Sequence, residues 1–99
     1  MIRGTTPLLE FTLPFDVEGL AEVWVTFAQN KKEILTKELC DCEKNGRKLS
    51  VHLTQEETLK LTCNCKTEIQ LRVKTAAGDA LVSEIIKEDT ERILKEGAI

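Results

Sequence analysis

Tyrosine is absent from this chain of 99 residues, and histidine and tryptophan occur once each. Five glycines and two prolines form neither a phosphate-cradling glycine loop nor a proline-rich linker. No apolar stretch nears the ~18 residues of a membrane-spanning helix. Behind Met1-Ile2-Arg3-Gly4-Thr5-Thr6-Pro7 there is none of the apolar run of ~7–15 residues that marks a secretory signal. The chain is therefore expected to be made and folded in the cytoplasm, away from membranes. Fourteen Lys and Arg against 17 Asp and Glu give a net charge of −3, which argues against a protein that binds nucleic acid by neutralising phosphates.

What is present is ordinary for a folded domain: 41% hydrophobic and 31% charged residues. The length allows one domain, residues 1–99, with a small core. The dominant period is two. Val23, Val25 and Phe27 alternate with Trp24, Thr26 and Ala28; Leu49, Val51 and Leu53 with Ser50 and His52; Ile69, Leu71 and Val73 with Gln70, Arg72 and Lys74. Each run sets three branched or aromatic residues on one face, as in half-buried antiparallel strands. Strands are expected over 8–13, 22–29, 33–39, 47–53, 66–75 and 80–87. The last is apolar on both sides, with Leu81 and Ile85 against Val82 and Ile86, so it is expected either to be covered on both faces or to be shorter than it looks. Turns are expected at Gln29–Lys32, at Glu43–Gly46 with its Asn45-Gly46 pair, and at Ala76–Asp79. Thr54 and Glu57 form a capping box, which predicts one helical turn. Glu88–Ile99 fits either a helix or a last strand. Six or seven short strands in this length predict an all-β fold, an immunoglobulin-like antiparallel β-sandwich with one short helical turn; a small barrel is the alternative.

Cys40-Asp41-Cys42 and Cys63-Asn64-Cys65 each aim two sulfurs to one side of an extended segment. If the third and fifth predicted strands are antiparallel neighbours, all four sulfurs meet. Packed free thiols, zinc ligands and a disulfide formed in air all remain open, although zinc usually takes Cys-x(2–4)-Cys spacing; no metal or other cofactor is assigned. His52 lies on the polar side of its strand, with Ser50 on the same face and nothing to mark a pocket. Glu56, Glu57, Glu84, Glu88, Asp89 and Glu91 are interleaved with bases and read as solvated surface. No catalytic residue is assigned, an enzyme is not expected, and no small-molecule substrate is implied. Trp24 is the informative residue. It lies opposite the apolar face of its strand, so either a loop or the tail (through Ile93 and Leu94) covers it, or it anchors an interface.

The opening Met1–Pro7, then Phe11-Thr12-Leu13-Pro14-Phe15-Asp16, Val25-Thr26-Phe27-Ala28-Gln29-Asn30, Leu53–Lys60 and Arg92-Ile93-Leu94-Lys95 resemble a family of small, uncharacterised proteins of a structural kind encoded in phages and prophages of Firmicutes. The later half is similar in layout to the N-terminal sandwich domains of phage baseplate proteins. The full set of four cysteines departs from most of those relatives. The resemblance implies a non-catalytic virion or tail-associated protein, made in the cytoplasm of a bacterial host and acting through protein–protein contacts or self-association. The alternative is a small metal-binding or regulatory domain built on the four cysteines.

Overall fold

Ten residues of alternating pattern, Leu20–Gln29, form the strand around which the molecule is organised (β2). Val23, Val25 and Phe27 point inward and are at most 1% exposed. In the computed structural model, which describes residues 1–99, β2 is flanked by β3 (Lys32–Glu38) and β6 (Lys66–Thr75), both antiparallel to it. The registers place Val23 against Val73, Val25 against Leu71 and Phe27 against Ile69. The period-two sets read from the sequence therefore meet on one face. Beyond β6 lie β7 (Ala80–Val82) and β8 (Ile86–Asp89).

A second antiparallel sheet, in the order β1-β5-β4, consists of β1 (Leu8–Thr12), β4 (Cys42–Asn45) and β5 (Lys48–His52). Its Leu49 and Val51, with Leu53 just beyond, join the inward residues of the larger sheet in one core of 12 buried side chains. The fold is thus an all-β sandwich of two antiparallel sheets and eight strands, close to the predicted spans but with three differences.

First, the neighbour relation expected between the third and fifth predicted strands does not occur. β2 pairs with both β3 and β6 and so lies between them. Second, Glu43–Asn45, expected in a turn, belong instead to the strand β4 (Cys42–Asn45). The hairpin loop is Gly46-Arg47, since Asn45 faces Lys48, and only Gly46 adopts a positive φ, of 63°. Third, the predicted strand 80–87 breaks in two. Arg72 faces Val82 but Ile69 faces Ile86, so one extra residue is accommodated around Ser83–Ile85 as a β-bulge. The Ser83 hydroxyl stabilises the break by accepting the Leu71 N–H at 3.0 Å.

The segment left open between helix and strand pairs as β8 up to Asp89 and then runs irregularly to Ile99. It is tied down by the N-terminus. Arg3 N–H donates to the Glu91 carbonyl and Glu91 N–H to that of Met1. The Arg3 guanidinium donates to the carbonyls of Leu61 (2.6 Å) and Leu59 (2.9 Å) and pairs with Glu96. It thereby satisfies the carbonyl at the end of the short helix α1 (Gln55–Leu59). Gly4, at φ +74°, lets Ile93 close in; a Cβ there would stand 3.1 Å from its Cδ1.

The capping box predicted at Thr54 is present. Thr54 Oγ1 accepts the Glu57 N–H, and the Glu57 carboxylate accepts the Thr54 N–H. The same carboxylate takes both oxygens to the Lys37 ammonium, at 2.8 and 2.7 Å, fastening α1 to β3. Burial alone raises the Glu57 pKa, but the Lys37 hydrogen bonds, the Thr54 N–H and the Lys37 charge outweigh it and hold the carboxyl below its ordinary 4.5. The stabilisation is therefore complete above that value and fades as pH falls through the lowered one. Glu57→Gln is expected to cost about 1–2 kcal/mol at neutral pH and to flatten the loss of stability below pH 4.5. Urea titrations of both proteins across that range check it; parallel pH profiles would refute the assignment.

Candidate interface on the outer face of the larger sheet

Residues that alternate with the core set of the larger sheet face outward. Trp24 lies in register between Glu38 of β3 and Arg72 of β6, and Arg72 in turn faces Val82 of β7. The Arg72 guanidinium stands over the indole, 5.2 Å from the ring centroid, a cation–π contact. A shallow depression lined by Trp24, Arg72, Lys74, Ala80 and Val82 runs beside the ring. Trp24 nevertheless remains 44% exposed and Val82 57%.

The bulge adds to this face. Because it shifts the phase by one residue, Ile86 takes the place opposite Ile69 that Ile85 would otherwise hold. Ile85 is turned out beside Thr26, Ala28 and Gln70 and is 52% exposed. Three large apolar side chains thus share an outer face whose remaining positions are small or mixed in charge. The tail does not serve as a cover for Trp24: Ile93 packs toward Gly4 and Leu59, and the end of the chain is bonded to Gln55.

The cysteines separate. Cys42 Sγ donates to the Glu38 carbonyl at 3.3 Å, beside Trp24 midway along β2. Cys65 Sγ lies 4.0 Å from Asn30 Nδ2, past the Gln29 end. Trp24 and Gln29 are five residues apart, about 17 Å at ~3.4 Å per residue. The meeting of four sulfurs expected from adjacent third and fifth strands therefore fails, because β2 intervenes. Nowhere do three His, Cys, Asp or Glu side chains gather so as to hold a metal ion, and all four thiols are free. Burial, reinforced by the neighbouring Asp41 charge, pushes the Cys42 thiol up to about 11. It stays protonated at neutral pH and is a poor nucleophile.

His52 is exposed at the end of β5, opposite Leu8. Ser50, across from Glu10, shares its face. Among the carboxylates, Glu57 is held by Lys37 and Asp89 by Lys66 at 2.6 Å; Glu56, Glu84 and Glu91 are exposed and Glu88 half-buried.

No helix is long and apolar enough to cross a membrane. Sequence reasoning singled out Trp24 but missed Arg72, Val82 and Ile85 as its companions. The signal for Ile85 was the change of apolar phase between Leu81 and Ile86. Comparison of this chain with models of protein families, with curated proteins and with solved structures finds no match.

Proposed function

We propose that this protein is a non-catalytic structural module of a phage or prophage particle, working by protein–protein contact through the outer face of the larger sheet. The observation that carries this reading is Trp24, covered on one side by Arg72 and left 44% exposed beside Val82, on the same face as Ile85. A tryptophan buries 150–250 Å² when covered, and aromatic and arginine residues are the usual anchors of an interface. The resemblance to phage-encoded proteins supports the kind of partner: a virion or tail component, or further copies of the chain. Its place of synthesis is then the cytoplasm of the bacterial host, and its place of action the particle.

Trp24→Ala tests the reading. Light scattering on a sizing column, over a range of concentrations and with the tail and virion proteins of the phage that encodes it, is expected to show an associated species for the wild type. The variant is expected to lose at least tenfold in association, about 1.4 kcal/mol, while its melting temperature hardly moves. A wild type that stays monomeric at high concentration and binds none of those components would end the proposal.

A further inference from the structure

The two sheets are unequal in width, and one flank of the sandwich is open. On the closed flank the chain passes from β3 through the short turn Leu39–Asp41 into β4. On the other flank β1 ends the smaller sheet and β7 with β8 ends the larger. Between them runs an apolar trough, with Phe11, Leu13 and Phe15 on one side and Val73, Leu81 and Val82 on the other. It continues past Phe15 and Leu81 to the turn before β7. Leu81 faces the inner side, opposite Val73, yet is 45% exposed, because nothing from the smaller sheet reaches it.

The wall formed by β1 is a free strand edge. Leu53 N–H donates to the Pro7 carbonyl and Leu13 N–H to that of Arg47. Antiparallel pairing alternates, so the odd-numbered residues of β1 bond to β5 while Leu8, Glu10 and Thr12 turn their N–H and C=O groups outward. The facing edge is less regular: β7 has three residues and runs into the bulge, a device that discourages pairing. Charge is one-sided as well. Glu10, Asp16 and Asp79 are the charged residues along the trough; none of the chain's 14 Lys and Arg lines it.

We propose that the trough takes an extended segment of another protein that adds a strand to β1, with apolar residues turned inward alternating with Lys or Arg turned outward. Strand alternation makes such a segment fit. Its inward residues cover Leu81 and Phe11, and its outward base stands across from Glu10, an opposite-charge cross-strand pair. A second copy pairing β1 to β1 about its centre would set Glu10 against Glu10, which like charge disfavours. Trp24 lies on the other face of the larger sheet and does not line the trough, although Val82 at the sheet edge borders both.

The probes are two capped synthetic peptides, one alternating valine with lysine, the other valine with glutamate, each dye-labelled and titrated with the full chain at about 0.15 M salt, where the Debye length is ~8 Å. The lysine peptide is expected to bind at least tenfold more tightly. Glu10→Lys is expected to reverse that preference. Thr12→Pro removes an outward N–H and no internal bond, and is expected to weaken binding at least tenfold. Should Thr12→Pro misfold, hydrogen exchange on the wild type decides: the Glu10 and Thr12 amides are expected to exchange fast alone and to gain protection with the lysine peptide. Equal binding of both peptides, or binding without that protection, would overturn the proposal. So would protection of both amides before peptide is added, which would show that the chain itself or a second copy fills the trough. Trp24→Ala is expected to leave peptide binding unchanged.

Discussion

Phe27→Ala is expected to cost on the order of 3–5 kcal/mol, a large share of the ~5–15 kcal/mol of a typical domain. Phe27 is fully buried at the middle of the larger sheet, with Leu35 beside it on β3 and Ile69 on β6. Truncation there removes transfer free energy and leaves a void that surrounding strands, fixed by their ladders, close only in part. Val51→Ala in the opposite sheet is expected to cost roughly 2–4 kcal/mol, and His52→Ala, one residue along but exposed, little. Urea midpoints of the three variants check the strand register as well as the core. If His52→Ala unfolds the protein and Val51→Ala is silent, β5 is slipped by one residue, which exchanges its faces.

That register was legible in the sequence because each central strand carries three inward residues at strict alternation, and burial rewards only one phase. Lys66–Thr75 could be bounded to the residue for the same reason. Where two phases carry apolar residues, the pattern signals that the strand is shorter than the span 80–87 but not where it breaks. Leu81 with Ile85 and Val82 with Ile86 admit no single strand phase, and the bulge at Ser83–Ile85 resolves the conflict by switching from one to the other. β4 was missed because Cys42–Asn45 holds no alternating apolar set; it exists through its ladder to β5, a tertiary cause that local pattern does not encode.

The candidate interface was legible only as Trp24. Strand alternation puts the indole outside, but its partners come from β6 and from either side of the bulge, and their juxtaposition depends on sheet order. Sheet order is likewise what separated the cysteines. Cys-x-Cys spacing aims two sulfurs together within each pair, but whether two pairs meet is decided by which strand intervenes. With β2 between β3 and β6, Cys42 lies beside the middle of β2 and Cys65 beyond its Gln29 end. The open trough was invisible for a related reason: it arises from the difference in width between the sheets, not from any residue's own preference.

Gln29→Leu is expected to destabilise the protein by about 2–4 kcal/mol, although it exchanges a polar residue for an apolar one of similar size. Gln29 ends β2 with its side chain 4% exposed. Its Oε1 accepts the Thr62 N–H at 2.7 Å, and its Nε2 donates to the Thr62 carbonyl at 2.8 Å and reaches the Thr67 and Thr90 hydroxyls at 3.3 and 3.4 Å. Those two hydroxyls are bonded to each other. One amide thus joins the end of β2, the loop after α1, the start of β6 and the residue that follows β8. Every buried side-chain polar atom finds a partner, so leucine would break a network that is complete rather than one already strained. The Thr62 N–H and carbonyl would each lose a partner in a part-buried site, and such losses cost more than the bonds contribute on balance. The damage is expected to be local first. The backbone exchange between Asn64, Thr90 and Cys65 holds the last segment in place just beyond this network. Hydrogen exchange at Thr90 and Glu91 is therefore expected to accelerate more than exchange at Val25 or Leu71. Uniform acceleration across the chain would show instead that Gln29 stabilises the fold only globally, and unchanged urea stability would show that leucine packing fully replaces the network.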